Sequence, residues 1–203
     1  MLKTLLKATA LAATLSMTGC VSYTVSGPVG APAHPAPVGS PRTAQVADVV
    51  VSAPDINDAT RTAISRSLTA QLNQYVQTGG YFKQVTEYPT RLGENDVLLK
   101  FDMTSLKGHR GVHPGYVPGA LLTLTLWIWV NGPTHVDTYD VAGNLSIVDR
   151  DGNELAAAKE EIKLKHNIGL YDREYWAPTM GAQQLNQLVA QLLDNATARL
   201  AKQ

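Results

Sequence analysis

The apolar residues of this chain are spaced in a way that predicts two helices separated by a series of strands. One set with helical spacing predicts a helix that ends at Gly79-Gly80, with Asp55 or Asp58 as the expected N-cap. Its members are Ile64, Leu68, Leu72, Tyr75 and Val76. A second apolar stripe predicts the last helix of the chain. Its members are Leu185, Leu188, Val189, Leu192, Leu193, Ala196 and Leu200.

Six segments have the alternation or the β-branched content of strands. They are residues 45–52, 81–87, 96–106, 121–130, 135–148 and 154–166. The element order is therefore β-α-β-β-β-β-β-α, with the strands consecutive and the helices set apart. This order predicts an α+β fold, in which an antiparallel sheet of about five or six strands carries two helices packed on one face.

The segment 121–130 is the most hydrophobic of the six. It has only about half of the roughly 20 residues that a membrane-spanning helix needs. As a strand, it places an aliphatic row on one face and a second set on the other. The second set is the candidate partner face: Thr123, Thr125, Trp127 and Trp129. If the helices cover the aliphatic row, these indoles offer contact area and a polar N–H to a partner. The alternative is that another segment buries both tryptophans in a second small core.

The beginning of the chain is typical of exported proteins. Two lysines precede a short apolar run over residues 8–16, which is too short to span a bilayer. The run leads to Thr18, Gly19 and Cys20. This resembles the lipobox of bacterial lipoproteins, in which small residues precede a cysteine that receives lipid. Met17 stands where that motif usually has Leu.

The lipobox resemblance implies a division of the chain and a location. Residues 1–19 are the expected signal peptide, and Cys20 is the expected site of covalent N-acyl and diacylglycerol lipid. Val21, rather than Asp, implies the outer membrane and a domain facing the periplasm. Residues 20–44 are rich in Pro and Gly and are expected to form an extended tether. Residues 45–203 are expected to form one α+β domain. An ordinary signal peptide with an incidental free cysteine is the alternative.

Composition and motifs narrow the chemistry. The single cysteine excludes disulfide frameworks, CxxC motifs and cysteine-based zinc sites. The 17 basic residues balance the 17 acidic ones, so nucleic acid is not an expected partner. The sequence has no Gly-rich phosphate loop, HExxH or GxSxG. We therefore expect a protein that is not an enzyme, with no catalytic residues, no metal and no cofactor besides the lipid.

A basic segment is the candidate anion-binding loop. It contains Lys107, His109, Arg110 and His113 among several glycines and prolines. Such side chains suit a lipid phosphate or an anionic glycan such as lipopolysaccharide. A two-histidine metal site is an alternative, although no carboxylate stands beside the histidines. A hydrolase that pairs His109 or His113 with an aspartate is the third hypothesis.

Four aspartates raise a separate question. Asp137 and Asp140, with Asp149 and Asp151, suggest either paired acid and base carboxylates or a calcium site. They are expected at strand edges and in a tight turn, where aspartate commonly hydrogen-bonds nearby backbone. We therefore interpret them as turn and edge residues.

The order of elements, the GGYF break at Gly79 and the apolar segment before the Asp151-Gly152 turn resemble small envelope-assembly lipoproteins. Examples are the lipoproteins related in architecture to the lipopolysaccharide-assembly lipoprotein LptE and the curli-secretion lipoprotein CsgG. The likeness covers residues 45–203 and implies a scaffold that binds an envelope protein partner. Binding of a lipid or glycan in the transport of surface polymers is the second hypothesis.

Overall fold

The structure is a computed structural model that describes residues 20–123 and 126–202. The expected signal peptide, residues 1–19, lies outside the described residues, and so does Thr125 of the candidate partner face. Within the described residues, no helix has both the length and the hydropathy needed to cross a membrane.

The chain forms two compact units, and the single domain over residues 45–203 stays a prediction. The smaller unit contains the described residues up to Tyr23, together with His109–Thr138 and Lys165–Pro178. The larger unit contains Thr24–Gly108, Tyr139–Leu164 and the described residues from Thr179 onward. Three long strands contribute residues to both units.

The strands form one seven-stranded mixed sheet. They are β1 Val21–Thr24, β2 Ser40–Val46, β3 Val50–Val51, β4 Phe82–Thr86, β5 Val97–Val112, β6 His135–Val148 and β7 Glu154–Ile168. The strand order is β4-β2-β5-β6-β7, and β1 and β3 also pair with β5. Strand β2 runs parallel to both β4 and β5, and β3 runs parallel to β5.

The prediction of a purely antiparallel sheet of five or six strands is therefore wrong, although the α+β class is confirmed. The predicted strand 45–52 is two strands, β2 and β3. The helix between β3 and β4 acts as a crossover that returns the chain parallel to β2. Only a crossover connection allows neighbouring strands to run parallel, since a short turn reverses the chain.

The first long helix, α1, spans Asp58–Gly79 in the larger unit. All five residues of its predicted apolar stripe are buried. Its N-cap is Asn57, not Asp55 or Asp58, because the Asn57 side chain accepts a hydrogen bond from Thr60 N at 2.9 Å. The helix ends as predicted, at Gly80 in the left-handed conformation with φ of 71°.

The segment predicted as an extended tether, residues 20–44, is instead folded along much of its length. Val25 and Val29 are buried in the larger unit, and β2 begins at Ser40. The backbone of Val29 makes two hydrogen bonds with helices that are distant in sequence, donating one and accepting the other. Val29 N donates to Gln71 Oε1 of α1 at 2.6 Å, and Asn186 Nδ2 donates to Val29 O at 2.5 Å. We call residues 25–39 the strap.

The last long helix, helix α5, spans Ala182–Leu200, and all seven residues of its predicted stripe are buried. Asn186 Nδ2 also donates to Ala31 O of the strap at 2.9 Å. The strap therefore contacts both α1 and α5. Tyr81 OH donates to Asp194 Oδ1 of α5 at 3.0 Å, and burial, followed by this hydrogen bond, raises the pKa of Tyr81.

The predicted strand 121–130 is wrong. The described residues there form two short helices, α2 Tyr116–Leu122 and α3 Leu126–Trp129, in the smaller unit. Leucine favours helix over strand, and an apolar run of this length is compatible with either structure. Thr123 favours the helical turn, because its Oγ1 donates to Gly119 O at 2.7 Å and accepts from Trp127 N at 2.9 Å. Another short helix, α4, spans Arg173–Trp176 in the smaller unit.

Candidate functional site

Helices α2 and α3 and the turn after them expose a large amount of apolar surface. We call the described residues of this segment, 116–123 and 126–133, the apolar hairpin. Five of its side chains are mostly exposed: Leu121 at 72%, Leu122 at 85%, Leu126 at 62%, Trp129 at 73% and Val130 at 76%. The sequence from 116 to 134 contains no Asp, Glu, Lys or Arg. Contiguous apolar surface of this kind usually marks an interaction site.

Trp127 holds the two helices of the apolar hairpin together. Its indole lies between Gly119 and Gly132, where a Cβ would stand 2.6 Å and 2.5 Å from its ring atoms. Its Nε1 donates to Pro133 O at 3.2 Å. Glycine is therefore needed at both positions so that the backbone can come this close to the Trp127 indole. The apolar hairpin has a fixed arrangement because its largest inward-facing side chain fills the space between its two ends.

Asn131 connects the apolar hairpin to the segment before α4. It has a φ of 55°, in the left-handed region that Asn tolerates better than most residues. Its Nδ2 donates to Asp172 Oδ1 at 2.9 Å, and its Oδ1 accepts from Tyr171 N at 2.9 Å. A Cβ on Gly169 would overlap Asn131 Oδ1, so only glycine fits there.

Asp172 is the carboxylate of this connection. Its other oxygen accepts from Gly169 N at 2.7 Å. The hydrogen bonds from Gly169 N and then Asn131 hold the pKa of Asp172 below its ordinary value, because they favour the charged carboxylate. We call Asn131, Gly169 and Asp172 the clasp.

Two further aromatic residues lie in the smaller unit close to the clasp in sequence. Trp176 of α4 is 74% exposed, although its Nε1 donates to Leu170 O at 2.9 Å. Tyr175 makes edge contacts with Trp176 and with His135, at ring separations of 5.1 Å and 5.4 Å. The indole of Trp176 thus keeps its polar N–H satisfied while its apolar face is exposed.

Arg110 and Asp137 form a paired charge inside the smaller unit. Arg110 Nε and Nη2 donate to the two carboxylate oxygens of Asp137 at 2.6 Å and 2.7 Å. The Asp137 side chain is only 2% exposed, and Arg110 also donates to Glu174 O at 3.1 Å. Burial, and then the Arg110 charge, lower the pKa of nearby His135. The sequence indicated neither this pair nor its burial, because the two residues lie on different strands.

The candidate anion-binding loop does not form one site. Lys107 belongs to the larger unit and pairs with Asp55 at 2.5 Å. Arg110 is engaged by Asp137, and His109 Nδ1 lies 3.1 Å from Ser22 Oγ. His113 Nδ1 accepts from Gly115 N at 3.0 Å. Three of these residues lie on β5, where alternate side chains are on opposite faces, and His113 follows the end of that strand. Each of the four side chains has a partner within the chain.

The candidate partner face does not form one face of a strand, because its described residues belong to the helical segment called the apolar hairpin. Thr123 and Trp127 make the internal hydrogen bonds described above, and Trp129 is exposed. Of the two tryptophans, only Trp129 is mostly exposed, and its role as a contact residue stays a prediction. The strand prediction places Leu122 and Leu126 in the aliphatic row that the helices would cover, and both are mostly exposed instead.

Cys20 lies in the smaller unit and is exposed. A Cβ on Gly111, next to Arg110 on β5, would be 3.6 Å from Cys20 Sγ. Strand β1 starts at the next residue, Val21, and pairs with β5. The cysteine is therefore fixed beside the end of β5 that leads into the apolar hairpin.

The larger unit contains a polar groove of about 450 Å³ between α1 and the strand ends. It is lined by Val46, Asp48, Thr62, Ser65, Arg66, Thr69, Ala70, Asn73, Glu87 and Tyr88. In the described part of the chain, no three His, Cys, Asp or Glu side chains converge as metal ligands would. The four aspartates of the sequence do not converge either. Asp149 accepts from Asp151 N and Asn153 N in the β6–β7 turn, as expected for turn chemistry.

Comparison with solved structures gives matches of low identity and low TM-score. No family model matches the chain, and no curated protein matches it. A neuraminyllactose-binding hemagglutinin homolog from Helicobacter pylori is 12% identical over 90% of this chain and 93% of that chain, with a TM-score of 0.41. A minor lipoprotein from Acinetobacter baumannii is 13% identical over 80% and 91%, with a TM-score of 0.32.

A dodecameric PelC from Paraburkholderia phytofirmans is 14% identical over 87% of this chain and 98% of that chain, with a TM-score of 0.34. At these identities and scores, the similarities assign neither a family nor a function. The function is therefore argued from the residues of the chain itself.

Proposed function

We propose that this chain is an outer-membrane lipoprotein that faces the periplasm and is a non-enzymatic binding or scaffold component in assembly of the cell envelope. The apolar hairpin is the observation that carries this proposal. Burying one large apolar side chain is worth about 1.5–3 kcal/mol. Five such side chains held exposed in a fixed arrangement therefore favour contact with another envelope component.

The anchor rests on Cys20. Its lipobox context favours lipidation, and its exposure leaves the thiol accessible to the modifying enzymes. The start of β1 at Val21 supports this role as well, since the modified end of the chain is then part of a folded element. One acyl chain gives marginal membrane binding, whereas the three chains of a mature lipoprotein give a stable anchor.

The polar residues of the smaller unit favour binding over catalysis. Arg110 and Asp137 neutralise each other's charge. The Asp172 carboxylate accepts hydrogen bonds from the other two members of the clasp, Asn131 and Gly169. Catalytic acids and bases usually have pKa values shifted toward the working pH. The pKa of Asp172 is shifted away from that range, and the hydrogen bonds responsible serve to position the apolar hairpin.

Two measurements test the proposal. Mass spectrometry of the processed N-terminus, with palmitate labelling, should find lipid on Cys20, and Cys20→Ser should abolish the label. A photo-crosslinking residue at Leu122 should capture an envelope component in intact cells. The matched control is a crosslinker at Val50, an exposed apolar residue of the larger unit. Equal capture from the two positions, or an unmodified Cys20 in the mature protein, would overturn the proposal.

A further inference from the structure

We propose that the apolar hairpin docks on the lipid surface, with its leucines and Trp129 inserted at the membrane interface beside the lipid on Cys20. This inference rests on the proposed function, because that function places a membrane at Cys20. It goes further by assigning a second point of membrane contact. The occupant of the exposed apolar surface is then lipid and not a protein.

The composition of the apolar hairpin favours lipid. Its exposed set is aliphatic with a tryptophan, and the sequence between 116 and 134 has no ionisable Asp, Glu, Lys or Arg. Protein interfaces are enriched in arginine and are bordered by a polar rim. Leucine combined with tryptophan is typical of segments that lie at the boundary between headgroups and acyl chains. Trp129 and Trp176 supply the amphipathic rings that this boundary prefers.

The position of Cys20 supplies the second argument. Cys20 Sγ lies 3.6 Å from the place of a Cβ on Gly111. Tyr116, where α2 begins, is five residues further along. Because each residue extends the chain by at most about 3.6 Å, α2 begins within about 18 Å of Gly111. A lipid that holds Cys20 at the headgroups therefore holds the apolar hairpin within reach of the same surface.

The rigidity of the apolar hairpin supplies the third argument. Trp127 fills the space between Gly119 and Gly132. Within the clasp, Asn131 Nδ2 donates a hydrogen bond to Asp172 Oδ1. The leucines and Trp129 thus stay exposed because the Trp127 indole occupies the interior of the apolar hairpin. A surface that is already arranged loses little conformational entropy when it inserts.

The test uses the processed chain, residues 20–203, carrying Cys20→Ser, so that no lipid anchor contributes. The probe is vesicles of phosphatidylcholine, which have no net charge. We expect the protein to float with the vesicles. All three tryptophans of the sequence, Trp127, Trp129 and Trp176, lie in the smaller unit, so their emission reports on it alone. The emission should shift to shorter wavelength and be quenched by brominated acyl chains.

The decisive variant is Leu121→Ser with Leu122→Ser, which should lower the vesicle partition coefficient about a hundredfold, about tenfold for each leucine. Both side chains are highly exposed, so folding should be retained, as far-ultraviolet circular dichroism will check. The matched control is Leu164→Ser, an exposed leucine of the larger unit, which should leave partitioning unchanged. Absence of flotation, or equal partitioning of the double variant and the control, overturns the inference.

Self-association is the competing outcome. If sedimentation without vesicles shows a dimer or larger oligomer that the double leucine variant dissociates, a second copy occupies the surface and the inference is wrong. The result is separable from that of the proposed function, because the tested chain carries no lipid and meets no envelope protein. If Cys20 is lipidated in cells but the unlipidated chain does not float with vesicles, the inference is wrong and the proposed anchor stands. If the unlipidated chain floats but Cys20 carries no lipid in cells, the proposed anchor is wrong and the inference stands.

Discussion

Gly132 lies so close to Trp127 that a Cβ on the glycine would be 2.5 Å from the indole Nε1. The indole also passes within contact distance of Gly119 on the other side. This sandwich determines how the apolar hairpin presents its leucines. It also makes the two glycines the most sensitive positions of the segment to a change as small as one methyl group.

Gly132→Ala is expected to push the indole of Trp127 out of place and to destabilise the smaller unit by about 1–3 kcal/mol, the usual cost of overpacking. The measurement is urea unfolding followed by tryptophan emission. Gly39→Ala is the control, since a Cβ there makes only an ordinary contact at 3.4 Å. If the two alanine variants unfold at the same urea concentration, the sandwich is not important for stability.

Arg110→Ala is expected to destabilise the protein by about 3 kcal/mol, because it leaves the buried carboxylate of Asp137 without its charge partner. Arg110→Met combined with Asp137→Leu should recover much of the loss, since replacing both partners removes the unpaired charge. Urea unfolding measures both variants. A loss below about 0.5 kcal/mol for Arg110→Ala would contradict the burial of this pair.

The clasp is expected to weaken in acid. The pKa of Asp172 is lower in the folded chain than its ordinary value of 3.8, so its stabilisation is complete above that value. The stabilisation is lost as the pH falls through the lowered folded value. Tryptophan emission should therefore change in this acid range. Asp172→Asn should remove that component of the titration, and an unchanged titration in this variant would exclude Asp172 as its source.

Asn186→Ala is expected to release part of the strap, because Asn186 Nδ2 donates to both Val29 O and Ala31 O. Two lost hydrogen bonds predict a destabilisation of about 1–3 kcal/mol. Backbone amides of the strap, including that of Val29, should exchange faster with deuterium. Asn195→Ala on the same helix is the control, since its side chain makes one exposed hydrogen bond, to Glu160. Equal exchange in the two variants would show that Asn186 does not hold the strap.

The sequence predicts the parts of the fold that depend on local periodicity. Helices α1 and α5 keep their predicted apolar stripes, and β6 has the predicted bounds, 135–148. The sequence does not predict the parallel pairing of β2 with β4, because strand direction depends on long-range packing and a local pattern contains no information about it. The same applies to the strap. Its hydrogen-bond partners are 42 and 157 residues away, so its proline content pointed to a free spacer.

The candidate site was predicted only in part. Trp129 is exposed, but the strand alternation that selected it is wrong, because the residue lies in helix α3. The sequence predicts a strand for the leucines beside it, because a short and mostly apolar run carries no period that separates strand from helix. The Arg110–Asp137 pair gave no signal in sequence, since 27 residues separate its members.

The folded strap also determines how far this protein can work from the membrane. A free polyproline-like spacer over residues 20–44 would extend about 75 Å, enough to carry a folded body well into the periplasm. Ordered strand begins instead at Val21, immediately after the proposed anchor. Under the proposed lipidation of Cys20, β1 would start at the height of the lipid headgroups. A component assisted under that proposal would itself have to be at the membrane surface, or be brought there by another carrier.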